Sequence, residues 1–230
     1  GVLRRGHRRP CRRTAGIGES VIDSQITDLM KLTNPTVGLA AHSGQTDIRI
    51  TAKASSIDEA EKLIQPVEAD LRKRLAPYIY GVEKEAIEEV VTRLLKAKGL
   101  RVATIEAGSG GVLARRLQEA AEQAGIDPLH SQILASADDI AVSGMAPTDT
   151  PPVLAEKAAV AACKSGADYG VALIIREDAD GSTASGIAVS GPGGQESRQT
   201  SWASARPDAP IWLSTHAMAM LHRHLSRPLE

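Results

Sequence analysis

The near absence of aromatic side chains is the feature that most constrains how this chain folds. Phe is absent and aromatic residues make up 2% of the 230 residues, whereas 35 residues are Ala. Because cores are close-packed, helices and strands with such side chains must approach one another closely through aliphatic and methyl groups. The same scarcity argues against a nucleic-acid reader that stacks bases on aromatic platforms.

The overall composition is that of an ordinary folded protein. Hydrophobic residues make up 42% and charged residues 24%, and this length predicts one or two domains. No apolar run reaches the ~18 residues that a membrane helix needs, so we expect no membrane contact. The two cysteines, Cys11 and Cys163, are too few for a disulfide framework or a zinc site, which favours a reducing, cytoplasmic location.

Positive charge is concentrated in the first thirteen residues. Residues 1–13 hold six Arg and no acidic residue, and the remainder of the chain is mildly acidic. We interpret this segment as the solvated remnant of an upstream domain, in a chain that is a fragment of a longer protein. The alternative is a basic run that binds the phosphates of nucleic acid or membrane. The acidic remainder argues against DNA binding.

Hydrophobic periodicity predicts a small α+β module at residues 14–81. Apolar residues recur at the helical spacing in two segments and alternate with polar residues in a third. Ser56 and Glu59 have the spacing of a capping box at the start of the second helix. The predicted elements, in order, are a helix at 19–32, strands at 37–41 and 47–54, and a helix from 56 to near 77.

Residues 82–230 predict a second, three-layer α/β/α domain. Amphipathic helices alternate with short apolar strands, a pattern that places helices on both faces of a sheet. The predicted helices are 83–98, 112–124, 151–164 and 212–225, and the predicted strands are 101–106, 133–135, 140–142, 169–175 and 186–190.

A glycine-rich loop joins the predicted strand at 101–106 to the helix at 112–124. In it, Gly108, Gly110 and Gly111 surround Ser109. Missing Cβ atoms let backbone N–H groups approach a ligand, and a helix N-terminus favours phosphate or carboxylate. The loop matches neither the Walker A nor the dinucleotide fingerprint, and the alternative is a tight turn for close packing. Ser109 suits a nucleophile, a hydroxyl donor or a helix cap.

Several segments together resemble one family. Gly-Ile-Gly-Glu-Ser at 16–20, Asn-Pro-Thr-Val at 34–37, Ile-Arg-Ile-Thr-Ala-Lys-Ala at 48–54 and Tyr-Ile-Tyr-Gly at 78–81 resemble the KH-like middle domain of the CinA (competence/damage-inducible) family. Ile-Glu-Ala-Gly-Ser-Gly-Gly at 105–111 is similar to the Ala-Glu-Ser-Cys-Thr-Gly-Gly of its C-terminal domain. The resemblance extends over about 14–117.

The resemblance implies an activity together with its partial loss. The C-terminal domains of this family act as nicotinamide-nucleotide amidases, which implies a small phosphorylated nucleotide such as nicotinamide mononucleotide as ligand. The family's nucleophilic serine falls on Ala107, which cannot attack a carboxamide. Its Tyr and Lys motif is also missing, since residues 126–150 contain neither residue. We therefore expect reduced or lost catalysis and a retained ligand loop formed by Glu106, Gly108, Ser109, Gly110 and Gly111.

Three alternatives remain beside this interpretation. The chain is an active deamidase in which Ser109 replaces the lost nucleophile, or a non-catalytic scaffold or dimerisation module. RNA binding by the KH-like module is the third, but the Gly-x-x-Gly loop that grips RNA is not found in the module. We expect a homo-oligomer, no nucleic-acid partner and no cofactor.

Histidine and cysteine side chains elsewhere are interpreted as structural. His216, His222 and His224 lie on the last predicted helix without an i, i+4 pair, so we expect no metal site. Cys163 lies beside small residues and suits a buried hydrophobe.

Charged residues elsewhere are interpreted as solvated. The acidic pairs at 138–139 and 177–180 fall on predicted loops, where acid/base or cation-binding roles are the alternative. Lys157 and Lys164 lie on a predicted helix, and the alternative for each is to replace the missing base.

Overall fold

The computed structural model describes residues 6–8, 10–126, 130–140, 146 and 148–227. The chain divides into two compact units, Gly1–Glu85 and Ala86–Glu230. Each unit has its own five-stranded sheet and its own apolar core. The expected fold class, a mixed α/β chain with an α+β module before an α/β/α domain, is confirmed.

The first unit is an antiparallel sheet covered by two helices. Strand β4 is its centre, because it pairs with β3 along one edge and with β1 and β2 along the other, while β5 pairs with β2. Apolar side chains of both helices and of the central strands form the core. The elements are β1 Gly6–Arg8, β2 Cys11–Ala15, α1 Glu19–Met30, β3 Thr36–His42, β4 Gln45–Ala54, α2 Ile57–Leu75 and β5 Ile79–Val82.

Local sequence signals in this unit correspond to observed structure. Gly44, with a φ of 74°, lies in the tight turn between β3 and β4. Ser56 caps α2 by accepting a hydrogen bond from the N–H of Glu59 at 3.2 Å. The predicted capping box differs in its second bond, because the Glu59 carboxylate accepts from the N–H of Ser55 at 3.1 Å instead of from Ser56.

Strand β2 overturns part of the interpretation of residues 1–13. Cys11–Ala15 lies between β4 and β5 and is mostly buried. The Arg12 side chain packs along the sheet and its guanidinium donates to the Glu68 carboxylate. A solvated remnant is therefore wrong for residues 11–13, because their backbone completes the sheet and a carboxylate compensates the buried charge. Residues 1–5 and 9 lie outside the described residues.

The second unit is a mixed sheet in the order β10-β9-β8-β6-β7. Strands β6, β7 and β8 are parallel, and β9 and β10 continue the sheet as antiparallel strands. The elements are α3 Ile87–Lys98, β6 Val102–Ala107, α4 Val112–Ala124, β7 His130–Leu134, a 3₁₀ turn at Ala137–Asp139, α5 Pro151–Lys164, β8 Tyr169–Glu177, β9 Thr183–Gly191, β10 Gly194–Trp202 and α6 Ala209–Ser226.

Helices cover both faces of this sheet. Helix α5 packs on one face against β6, β8 and β9, through closely spaced alanines. Helices α4 and α6 contact the sheet on the other face, and α3 packs against both of them. Gly170 shows how close the approach is, because an added Cβ would lie 1.9 Å from the carbonyl oxygen of Ala159 in α5. The aliphatic, ring-poor composition is thus used for close helix-to-sheet packing.

Some predicted elements of this unit differ from the observed ones. Helix α3 begins at Ile87, four residues later than predicted, and strand β10 was not predicted because its side chains are polar on both faces. Ile140 follows the 3₁₀ turn, and the other two residues of the predicted strand at 140–142 lie outside the described residues. Among the helices described, none has the length and apolar character to span a membrane.

Candidate functional site

The chain changes direction across the second sheet at strand β6. Strands β7 and β8 pair with opposite edges of β6. Helix α4 leads from β6 to β7 and helix α5 leads from β7 to β8, and these two helices lie on opposite faces of the sheet. In open α/β sheets, ligands bind beyond the carboxyl ends of the strands at such a switch point.

A cleft of about 440 Å³ opens at this point of the sheet. Its volume falls within the ~300–1,000 Å³ of small-molecule sites. It is bounded by the residues that follow β6 and β7, by the end of β8, and by the segment that leads into α6. The lining residues are Gly108, Ala135, Ser136, Ala137, Asp138, Ile175, Arg176, Glu177, Thr183, Ala205, Arg206, Pro207, Ala209 and Pro210.

Glu106, the last-but-one residue of β6, is fully buried beneath the loop. Its carboxylate accepts hydrogen bonds from the N–H groups of Leu113 at 3.1 Å and Ala114 at 2.6 Å. Those N–H groups belong to the first turn of α4, where backbone donors lack helical acceptors. Glu106 therefore caps α4 from inside the fold and compensates the positive end of the helix.

Ser109 is held by the same carboxylate. Its hydroxyl donates to Oε2 of Glu106 at 2.6 Å, and the residue is 6% exposed. Of the three roles that the sequence left open, the geometry gives Ser109 that of a hydroxyl donor that ties the loop to β6. The N-cap position of α4 is Gly111, and no side chain hydrogen-bonds there as a cap.

The three loop glycines differ in what an added Cβ atom would contact. All have positive φ, between 68° and 74°. A Cβ at Gly108 would lie 2.2 Å from the carbonyl oxygen of Ile175, so β8 requires glycine at that position. A Cβ at Gly111 would meet the Ile133 side chain at 2.7 Å, whereas a Cβ at Gly110 meets nothing within 4 Å. Close packing thus accounts for two of the glycines and leaves open space above Gly110.

Two backbone donors of the loop follow Ser109, one at the exposed Gly110 and one at the buried Gly111. Within the described residues, the N–H groups of Gly110 and Gly111 have no hydrogen-bond acceptor. Successive backbone N–H groups in a turn can form a concave site that suits an anion. The predicted phosphate-binding role of the α4 N-terminus thus rests on these two donors, which lie beside the cleft and are not among its lining residues, since Glu106 takes those of Leu113 and Ala114.

Few side chains of this cleft are of the types that an amidase needs as nucleophile or base. Ala107 is 0% exposed and belongs to the apolar cluster beneath α5. Among the described lining residues there is no Tyr, Lys, His or Cys. The hydroxyls of Ser136 and Thr183 are the lining groups nearest in type to a nucleophile, and the Ser136 hydroxyl donates to Asp139 at 2.9 Å.

Two arginines supply positive charge to the cleft. Arg176 donates to the carbonyl oxygen of Asp149 at 3.0 Å and contacts Asp138 at 3.5 Å. Arg206 donates to the Asp208 carboxylate at 2.7 Å, and this bond raises the pKa of the guanidinium. The guanidinium of Arg206 also lies 5.7 Å from the ring of Trp202. Sequence reasoning missed both arginines, although Arg176 directly follows the apolar run that ends at the site.

The remaining acidic candidates have local partners. Asp139 accepts from the N–H of Ser136 at 2.9 Å. Asp180 accepts hydrogen bonds from the hydroxyl and the N–H of Ser182 in the turn between β8 and β9, and these bonds lower its pKa. Asp138 and Glu177 line the cleft and are the two acidic groups exposed there.

The lysine and cysteine candidates lie apart from the loop. Lys157 forms an ion pair with Asp149 at 2.7 Å, which lowers the pKa of that carboxyl, and Lys164 is exposed at the end of α5. Neither lysine lines the cleft. Cys163 is partly buried, and its thiol donates to the carbonyl oxygens of Ala167 and Asp168 at 3.5 Å.

The three histidines of α6 are packed side chains. His216 stacks on Trp212 with 3.7 Å between ring centroids, and burial beside Arg198 lowers its pKa to about 3. Burial also lowers the pKa of His222 to about 4 and that of His224 below its usual range. No group of three His, Cys, Asp or Glu residues with metal-binding geometry occurs in the part of the chain that the structure describes.

Comparison with known proteins assigns the first unit. Residues 12–81 match the damage-inducible protein CinA KH domain. The CinA-like protein of Dictyoglomus turgidum is 46% identical over 106 residues, and that of Dictyoglomus thermophilum is 43% identical over 106 residues. Each alignment covers 46% of this chain and 26% of the relative. The matched stretch therefore spans about a quarter of the length of these curated relatives.

Solved structures resemble the chain at lower identity. A Competence-Damaged Protein (CinA) superfamily protein from Klebsiella pneumoniae aligns with 62% of this chain and 99% of its own, at 20% identity and a TM-score of 0.49. A protein of the same superfamily from Escherichia coli aligns with 60% of this chain and 88% of its own, at 18% identity and a TM-score of 0.48.

Proposed function

Since this chain belongs to the CinA family by its KH domain at residues 12–81, we propose that its second unit binds a small phosphorylated nucleotide such as nicotinamide mononucleotide. Binding takes place in the cleft at the carboxyl ends of β6, β7 and β8. Catalysis is reduced or lost. This function combines the resemblance of residues 105–111 to the family's amidase loop with the geometry of the cleft.

The position of the cleft is the observation that carries the proposal. It lies at the switch point of the parallel strands, where α/β sheets bind ligands. Gly108, the first glycine of the loop, lines it, so the loop and the cleft are contiguous. A ligand seated there meets the backbone of Gly108 and the side chains of Arg176 and Arg206.

Two kinds of donor suit a phosphate at this place. The N–H groups of Gly110 and Gly111, which follow the lining residue Gly108 in the loop, have no acceptor within the described residues, and an Arg guanidinium binds phosphate through charge-assisted hydrogen bonds. Arg176 and Arg206 both line the cleft. Asp138 and Glu177 offset their charge, which favours a ligand that also carries hydrogen-bond donors, such as ribose hydroxyls or a carboxamide.

The side chains near the loop support the proposed loss of catalysis. Nucleophilic catalysis needs a nucleophile within hydrogen-bond reach of a base. Ala107 supplies no nucleophile, and its methyl group lies in the apolar cluster rather than in the cleft. The lysines and tyrosines of the chain do not line the cleft.

One contact favours the alternative, an active deamidase that uses Ser109. The Ser109 hydroxyl donates to Glu106 at 2.6 Å, the distance of a nucleophile and its base. The same carboxylate holds the N–H groups of Leu113 and Ala114. Proton transfer from Ser109 would therefore weaken the cap of α4, and this is why we rank binding above turnover.

A ligand titration with two readouts separates these functions. Nicotinamide mononucleotide is titrated against the full chain while the melting temperature and released ammonia are measured. We expect stabilisation without ammonia release. Arg206→Ala should weaken the stabilisation, whereas Arg101→Ala, at the amino end of β6 and outside the cleft, should leave it unchanged. Ammonia release that Ser109→Ala abolishes would establish the deamidase, and the absence of any thermal shift would refute ligand binding.

A further inference from the structure

A second cavity, which we call the amino-end cavity, lies at the opposite end of β6 from the cleft. Its volume of about 420 Å³ is also within the ~300–1,000 Å³ of small-molecule sites. Arg101 and Val102, at the amino end of β6, line it together with residues that end or follow helices α3, α4 and α5. Among the described lining residues none is shared with the cleft, so the two cavities can hold different ligands.

The wall of the amino-end cavity is aliphatic. Leu95 and Val102 are the most deeply buried of the lining residues, at 1% and 2% exposure. Leu100, Ile126 and Ala167 line it as well and are half-buried, so each keeps apolar surface in contact with water. A ligand with an apolar body would remove that surface from water, and such burial favours binding.

A smaller cavity continues this wall along the sheet. It measures about 300 Å³ and shares His130 and Ser165 with the amino-end cavity. An extended aliphatic body can therefore pass from one cavity into the other. The apolar residues that line the smaller cavity come from β6 and the end of α5, and they are Ala103, Ile105, Ala161 and Ala162.

The charged side chains around the amino-end cavity are basic. Lys96 and Arg101 are exposed lining residues, and none of the described lining residues is Asp or Glu. The ammonium group of Lys96 donates to the carbonyl oxygen of Ala124, the last residue of α4. A lysine that satisfies a free carbonyl at a helix end has a structural role, so the α4 terminus accounts for Lys96.

The guanidinium of Arg101 has no such structural role. Only the backbone of this residue is bonded to Asp168, whose carboxylate accepts from the Arg101 N–H at 2.7 Å and whose N–H donates to the Arg101 carbonyl oxygen at 2.9 Å. Within the described residues, the guanidinium itself has neither a hydrogen-bond nor an ion-pair partner. Its planar fork matches a carboxylate bidentately, so the chemistry of this corner suits an anion with an apolar body.

We propose that the amino-end cavity binds a small amphipathic carboxylate. The carboxylate group pairs with Arg101, and the aliphatic body lies against Leu95, Val102 and Ile126. This site is separate from the function proposed for the cleft. Nicotinamide mononucleotide does not suit it, because the ribose hydroxyls and the carboxamide would face aliphatic side chains without hydrogen-bond partners.

Calorimetric titration of the full chain with octanoate tests the proposal. We expect saturable binding of one octanoate per chain. Acetate lacks the apolar body and octanol lacks the charge, so each should bind much more weakly than octanoate under the same conditions. Absence of octanoate binding, or equal binding of octanol, would overturn the proposal.

Two variants separate the contributions of charge and volume. Arg101→Ala removes the partner of the carboxylate and should weaken octanoate binding about tenfold, the typical contribution of a hydrogen bond to a charged group. Ala167→Leu adds bulk to the wall and should weaken binding while every charge stays in place. Lys98→Ala is the matched control, because it removes an exposed cation of α3 that does not line the cavity.

A cleft variant shows which cavity octanoate occupies. Arg206→Ala should leave octanoate binding unchanged, and an excess of nicotinamide mononucleotide should not displace octanoate. Circular dichroism establishes that each variant is folded, and the exposed position of Arg101 makes Arg101→Ala the decisive one. Unchanged affinity of folded Arg101→Ala, or loss of octanoate binding in Arg206→Ala, would place octanoate elsewhere and overturn the proposal.

Discussion

Glu106 is the single residue on which the geometry of the loop depends most. It is fully buried, and its carboxylate accepts from one hydroxyl and two backbone N–H groups. A buried charge is tolerated only when hydrogen bonds compensate it. The three donors do so, and in return they fix the start of α4 and the position of Ser109.

We predict that Glu106→Gln destabilises the second unit. The amide keeps one acceptor but turns an NH₂ group towards backbone donors, so at least one buried N–H loses its partner. The expected loss is about 1–3 kcal/mol in the free energy of unfolding, the cost of an unsatisfied buried group. Urea denaturation followed by circular dichroism measures it.

Ser109→Ala is the matched control for that variant. It removes one hydroxyl donor and leaves both backbone N–H groups bonded to Glu106, so its cost should be smaller. Equal stability of Glu106→Gln and the unchanged chain would show that the carboxylate does not cap α4.

We predict that Ala107→Ser does not restore an amidase. Ala107 lies in the apolar cluster beneath α5, so the new hydroxyl is buried among aliphatic side chains. The expected result is no ammonia release from nicotinamide mononucleotide and a loss of about 1–3 kcal/mol in stability, the protein-derived cost of burying an unpaired hydroxyl. Steady ammonia release by this variant would contradict our account of the site.

The role of Glu106 marks the limit of sequence reasoning at the residue scale. The motif identified the loop and its glycines, but it did not show which side chain accepts hydrogen bonds from the first turn of α4. That choice depends on burial, because a carboxylate in β6 reaches the N–H groups of α4 only when strand and helix pack closely. Glu106 was predicted to face a ligand, and its 0% exposure places it beneath the loop.

At the scale of elements, the predicted helices agree best with the structure. Helix α4 was predicted at its observed bounds, because a glycine stands at each end and the apolar period is regular. Strands β2 and β10 were not predicted as strands. Their charged and polar side chains conceal the pattern of burial, which arises only from pairing with distant residues such as those of β4 and β9.

We predict unequal effects for alanine at two loop glycines. Gly108→Ala brings a Cβ to 2.2 Å from the carbonyl oxygen of Ile175, so β6 and β8 must separate locally. Gly110→Ala has the same positive φ and open space around it, so its cost is limited to the ~1–2 kcal/mol of the left-handed conformation. Thermal unfolding should show a clearly lower melting temperature for Gly108→Ala, and equal temperatures would mean that this contact does not constrain the loop.

At the scale of the whole molecule, buried histidines make stability depend on pH. His216 is 3% exposed and stacks on Trp212. Its burial, and then the positive charges of Arg198 and Arg223, disfavour the protonated form and lower its pKa. The folded chain keeps it neutral down to a pKa of about 3, whereas the unfolded chain protonates it near 6.5. The contribution of neutral His216 to the free energy of unfolding is therefore complete above pH 6.5 and is lost as the pH falls towards 3.

We predict that His216→Phe reduces the acid sensitivity of the fold. Phe keeps a ring to stack on Trp212 and does not titrate. Between pH 7 and pH 5, His216 should cost the unchanged chain about 2 kcal/mol of stability, so the variant should lose about that much less over the same interval. Urea unfolding at both pH values measures the free energy of unfolding of each protein. The difference between the two proteins at pH 7 is the control for effects of the substitution that do not depend on pH. Identical pH dependence would show that His216 is not buried in the neutral form.

The position of β2 bears on how the first unit forms during synthesis. Cys11–Ala15 lies between β4 and β5, so both of its neighbours are translated after it. The ribosome must release the chain through Val82, the end of β5, before the sheet has its full set of strands. Until then β2, which carries two arginines, lacks one or both of the strands that it pairs with. Its backbone and side chains stay exposed while most of the unit is translated.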